Sequence, residues 1–196
     1  MLPNGFHKVP AGKVAMIVTY LEMRAPQYRD APLPDGLEFA PLTTDVSQYK
    51  RLFQRVGQQW LWFGRMKTDE ALLATILSDP AVHLFTLLKD GQAEAILELD
   101  FRIKGACELA YFGLTDALIG TGAGAYLMDR AIEKAFAADI ERFHVHTCTI
   151  DSQQALGFYT RSGFKPIRQE VEIDDDPRIT GVLPETAGAH VPIIRP

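Results

Sequence analysis

Five residues, Gly120-Thr121-Gly122-Ala123-Gly124, constrain this chain more than any other segment. They stand between an apolar, strand-like run, Cys107–Leu114, and a stretch in which Leu127, Met128, Ala131, Ile132, Ala135 and Phe136 recur at helical spacing. Asp129, Arg130, Glu133 and Lys134 fall on the opposite face, so the stretch reads as an amphipathic helix. An alternating run at 142–149 follows, and strand, loop, helix and strand together make a parallel crossover. The first turn of a helix has N–H groups without internal partners, its dipole favours negative charge, and glycines let a phosphate come close. The loop therefore suits a pyrophosphate, although glycines that only permit a tight turn would look the same. No Gly-Lys-Ser/Thr is present, which excludes a Walker loop, and the loop does not follow the first strand of a parallel dinucleotide fold.

The residues before the loop set the sheet around it. Residues 1–13 read as an irregular lead-in and 14–196 as a single domain. Val14–Met23 and Leu37–Pro41 read as strands. Thr44 or Asp45 caps a helix carrying Val46, Tyr49, Phe53 and Val56, and Gly57 ends it. A second helix starts at Thr68–Asp69 and closes at Asp79–Pro80. Val82–Leu88, Ala93–Ile103 and Cys107–Leu114 form an antiparallel meander turned at Asp90-Gly91 and Lys104-Gly105. After the crossover, Asp151 or Ser152 caps a short helix holding Ala155, Leu156 and Tyr159, and Gly163 terminates it. Phe164–Ile173 is a strand, the acidic run at 174–177 a solvated turn, and 179–183 or 191–194 a final short strand. The expected class is mixed α/β: a mostly antiparallel sheet with a central parallel strand pair and flanking helices.

Residues 108–164 resemble the core of the GNAT superfamily. The family's Arg/Gln-x-x-Gly-x-Gly/Ala loop aligns with Ile119-Gly120-Thr121-Gly122-Ala123-Gly124. Its Asn-x-x-Ala-x-x-x-Tyr helix ending in Gly-Phe aligns with Ser152-Gln-Gln-Ala155-Leu-Gly-Phe-Tyr159, then Gly163-Phe164. Ile119 replaces a side chain that contacts phosphate, and Ser152 has a shorter reach than Asn. The resemblance implies acetyl-CoA as co-substrate, gripped by residues 119–124, with the backbone of Phe112, Gly113 and Leu114 and the Ser152 side chain along the pantetheine arm. It implies Tyr159 as the acid that protonates the leaving thiolate. Glu108 opens the strand where one branch of the family places a basic Glu, and partial burial would raise its pKa. Glu98 and Asp100 are rivals for that role. Trp60, Trp62 and Arg65 fall where the family covers its acceptor site, and two Trp can wall an amine.

The function expected is N-acetyl transfer from acetyl-CoA to a primary amine on a small molecule or peptide. The alternative is an acyl-CoA sensor without turnover. His144, His146 and Cys148 share a strand face, but with no fourth ligand they read as packing or solvent contacts, and no metal is expected. A net charge of -5 without a basic cluster argues against nucleic-acid and membrane partners. Two isolated cysteines, no signal peptide and no long apolar run read as a cytoplasmic protein. A homodimer made by exchange of a C-terminal strand is compatible with the chain.

Overall fold

The computed structural model describes residues 3–196. Its strands are β1 (Lys13–Met23), β2 (Leu37–Pro41), β3 (Val82–Lys89), β4 (Gln92–Ala93), β5 (Ala95–Asp100), β6 (Ala106–Leu114), β7 (Arg142–Cys148) and β8 (Lys165–Asp175). Its helices are α1 (Val46–Gly57), α2 (Gly64–Lys67), α3 (Glu70–Ser78), α4 (Ala123–Phe136) and α5 (Ala155–Arg161). The strands form one sheet in the order β2-β3-β5-β6-β7-β1-β8, with β4 pairing β3. Every neighbouring pair is antiparallel except β6 and β7, which α4 joins in a parallel crossover.

Local chemistry accounts for most boundaries. Asp45 caps α1 by accepting from the Gln48 N–H at 2.8 Å, and Asp69 caps α3 through the N–H groups of Ala71 and Leu72. The hairpin between β3 and β4 turns at Asp90 and Gly91, both with positive φ, as a two-residue turn of this hand requires.

Helices cover both faces of the sheet. Leu97, Leu99, Cys107, Leu109, Phe143 and Val145 pack under α4 and α5, with Leu127, Met128, Ala131 and Tyr159. On the other face Ile96 and Leu84 meet Tyr49, Phe53, Leu73 and Leu77 from α1 and α3. β5 is consequently buried along almost its whole length, including Glu98, despite its alternating sequence.

Several expectations need correction. The strand expected over 93–103 breaks at Glu94 and stops at Asp100, whose carboxylate turns back to the N–H and guanidinium of Arg102. α5 has no side-chain cap: Gln154 precedes it, and Asp151 instead accepts from Thr147, Cys148 and Trp62. Asp129, expected on the outer face of α4, is buried and accepts from the N–H groups of Arg29 and Ala31, tying down the loop after β1. The acidic run is not a solvated turn throughout. Asp176 and Arg178 are buried together, and Arg178 also donates to the carbonyls of Ala187, Gly188 and Val191. No strand forms at 179–183 or 191–194. The chain turns repeatedly there, and Leu183 and Ala187 pack against Leu61, Ile150 and β1.

Candidate acyl-transfer site

β6 and β7 start as partners and then separate. Ala106, Cys107 and Glu108 pair with Arg142, Phe143 and His144, and no later residue of β6 pairs with β7. The cause lies on the other edge of β6. Glu98 pairs with Tyr111 but Leu99 pairs with Leu109, so Ala110 is an extra residue that bends the strand. The opening leaves β6 backbone beyond Glu108 without a strand partner on that side, and two cavities meet there.

The larger cavity, about 310 Å³, is lined by Phe112, Gly113 and Leu114 of β6, by Ile119, Gly120, Gly122 and Gly124, and by Ser152, Phe158 and Tyr159. Gly122 begins α4 with φ of 89°, where a side chain costs roughly 1–2 kcal/mol. Among the described residues, no acceptor takes the N–H groups of Gly120, Gly122 or Gly124, and a Cβ at Gly120 or Gly122 would meet open space. Unpaired amides under open space at a helix start fit a pyrophosphate. Thr121 and Ala123 contribute differently: the Thr121 hydroxyl accepts from the Ala123 N–H and donates to the Leu118 carbonyl, so it closes the loop on itself. Ile119 is exposed at the rim. Ser152 lines the wall, and its hydroxyl accepts from the Gln154 N–H at 3.4 Å.

The second cavity, about 190 Å³, is lined by Leu61, Phe63, Ala110, Tyr111, His146, Cys148 and Glu172, among others. Trp60, Trp62, Phe112, Asp151 and Tyr159 border both cavities. Trp62 is wedged: its indole N–H donates to Asp151 at 3.1 Å, its ring packs on Phe53 and Tyr111, and a Cβ on Gly57 or Gly113 would collide with it. The Trp60 ring meets His190 in an edge-to-face contact, with ring centroids 5.7 Å apart. Arg65, expected at the acceptor wall, borders neither cavity. Its guanidinium is paired with the fully buried Glu98, which also accepts from Tyr49 at 2.5 Å, and it lies over the Tyr111 ring. A buried carboxylate needs such partners, so Arg65 is committed to the core and Glu98 is withdrawn from proton transfer. Asp100 is likewise occupied by Arg102.

Tyr159 is buried, and burial pushes its phenol well above the ordinary value, with Asp151 adding to the rise. Its hydroxyl has no hydrogen-bond partner among the described residues. It is therefore a protonated donor at the junction of the two cavities. Glu108 differs from its expectation. Its carboxylate lies 3.6 Å from His146 Nδ1, and this contact holds it below the usual carboxylate value although burial works the other way. The same contact raises the imidazole of His146. His146 borders the second cavity, whereas Glu108 borders a shallow hollow with His144 and Asp100. Cys148 is pushed up to about 12 by burial and stays a thiol. The face shared by His144, His146 and Cys148 thus includes two groups at the cavity wall, His146 and Cys148. Position alone gave no signal for this, because the Glu108 contact crosses between strands.

The family profile described as "Acetyltransferase (GNAT) family" matches residues 48–164, more than half of the chain. The chain belongs to the GNAT family. Solved structures carry the same fold. A GCN5-related N-acetyltransferase from Sphaerobacter thermophilus superposes with a TM-score of 0.63 at 12% identity, covering 82% of this chain and 52% of that one. A GCN5-related N-acetyltransferase from Kribbella flavida gives 0.56 at 17% identity, covering 87% and 63%. An aminoglycoside acetyltransferase from an uncultured soil metagenomic sample, in complex with sisomicin, gives 0.53 at 13% identity, covering 66% and 88%. This GNAT chain therefore spans about half the length of the Sphaerobacter protein. No curated protein matches it in sequence. Among the described residues, no helix is long and apolar enough to cross a membrane.

Proposed function

We propose that this GNAT chain transfers an acetyl group from acetyl-CoA to a primary amine. The observation that carries the proposal is the pair of cavities meeting where β6 leaves β7, with Tyr159 bordering both. The cofactor's pyrophosphate lies on the free amides of Gly120, Gly122 and Gly124. Its pantetheine arm runs beside Phe112, Gly113, Leu114 and Ser152. The amine enters through the second cavity, past Trp60 and Trp62.

The reaction is a direct displacement. The amine nitrogen forms a bond to the thioester carbon and the carbon–sulfur bond breaks. The proton lost from nitrogen goes to His146, held by Glu108, and Tyr159 gives its proton to the departing sulfur. Amide and CoA thiol are the products. Freed β6 backbone donors stabilise the charge on the carbonyl oxygen.

Calorimetry with acetyl-CoA and thiol release across a panel of primary amines test the reading. Binding without thiol release from any amine would replace it with a non-catalytic acyl-CoA sensor; no binding would remove both.

Proton transfer to His146 requires the neutral imidazole, so kcat/KM should rise with pH through the His146 pKa. Glu108 raises that pKa, so Glu108→Gln should move the acid limb of the profile to lower pH. An acid limb that stays in place in Glu108→Gln would remove the pair from the mechanism. Trp60→Ala should raise the acceptor KM more than the acetyl-CoA KM. Trp60 is the better probe of the acceptor wall because Trp62 also props α1 against β6.

A further inference from the structure

The sheet ends at β8, and among the described residues no strand pairs with that edge. Thr149 N–H donates to the Ile17 carbonyl at 3.1 Å, and Asp176 N–H donates to the Gly12 carbonyl at 2.9 Å. Val18 stands opposite Cys148 on one side and Glu170 on the other. Antiparallel bonding alternates, so odd-numbered residues of β1 bond toward β7 and even-numbered ones toward β8. On β8, Arg168, Glu170, Glu172 and Asp174 therefore turn their backbone to β1. Gln169, Val171 and Ile173 present N–H and C=O groups off the sheet.

The side chains of those three residues share a face with Ile17, which stands opposite Val171. Ile17, Val171 and Ile173 are exposed, and a shallow groove is lined by Ile17, Gln169, Glu170 and Val171. Unpaired backbone beside an apolar row is a template for another strand. The start of β8 is closed to pairing by Pro166, which lacks an N–H, and by a register shift beside it.

Charge identifies the occupant. Lys165 and Arg168 lie in the first half of β8, and Glu170, Glu172, Asp174 and Asp175 in the second. An antiparallel copy related by a two-fold axis near Gln169–Val171 sets each basic half against the acidic half of its mate, whereas a parallel copy aligns like charges. Asp174 and Asp175 are already paired with Lys67 and Lys13, and Glu170 with Tyr20 and Arg168 of its own protomer, which leaves Glu172 to meet Arg168 across the axis. The chain beyond β8 is anchored to its own protomer through Arg178, so the pairing needs no exchanged segment.

The geometry points to a two-fold homodimer in which the β8 strands of two copies pair antiparallel, making one sheet continuous across both. Sedimentation equilibrium of the full chain at micromolar concentration should read twice the 21.8 kDa of one chain. Val171→Asp and, separately, Arg168→Glu should each bring the mass down to that of one chain, with the circular dichroism spectrum unchanged. Arg168→Glu combined with Glu172→Arg should restore the dimer. A wild-type chain that sediments as a monomer overturns the inference, as does a dimer that survives both single substitutions. If Val171→Asp fails to fold, Arg168→Glu decides alone, since its side chain is exposed and lies on the opposite face from the apolar row.

Discussion

Tyr159→Phe is expected to lower turnover by about two to four orders of magnitude, the usual worth of a positioned acid, while acetyl-CoA affinity stays near its wild-type value. The substitution is clean for a structural reason. The ring is fixed by edge contacts with Phe112, Phe158 and Phe164, all of which phenylalanine keeps. The hydroxyl gives up no hydrogen bond within the described chain, so the fold loses little when it is removed. Steady-state thiol release, set beside calorimetric binding of acetyl-CoA, separates the two effects. Unchanged turnover would assign the proton on sulfur to another donor and leave Tyr159 as a packing residue.

The second large effect lies away from the reacting atoms. Arg178→Ala should destabilise the fold by about 3–5 kcal/mol, because it leaves the buried Asp176 carboxylate without its partner. For a chain of this size that corresponds to a melting temperature lower by roughly 10 °C. The double variant Arg178→Ala, Asp176→Ala should lose less, since no charge is stranded. Arg178 also holds the carbonyls of Ala187, Gly188 and Val191, and Gly188 N–H donates to the Gln58 carbonyl just before Trp60. The C-terminal segment thus backs the loop that carries the Trp pair. Acid should weaken the same clamp. Arg178 holds Asp176 below the usual carboxylate value, so its contribution is present above the unfolded-state value and is lost as pH falls through the depressed one. A thermal melt of Arg178→Ala indistinguishable from wild type would show that the buried pair contributes nothing net.

Much of this architecture was legible in the chain itself. The two helix caps at Asp45 and Asp69, the Asp90-Gly91 turn and the glycine loop before α4 are short-range signals, and each sits where the sequence places it. The crossover of β6, α4 and β7 follows from them. Errors gathered at carboxylates. Glu98, Asp129 and Asp176 read as solvent-facing or catalytic and are buried, and Glu94 is buried against Arg55 and Thr115. Arg65 read as a substrate contact and neutralises Glu98.

Sequence alone determined the order and kind of the elements around the loop, because hydrophobic period, capping and turn chemistry act within a few residues of each other. Tertiary structure alone decided which charged groups remain available for chemistry. A buried carboxylate is tolerated only when its partners arrive, and those of Glu98 come from 33 and 49 residues away and those of Asp129 from about 100. The same holds for His146. Its place at the cavity wall depends on β6 and β7 diverging just after the pair that brings Glu108 beside it.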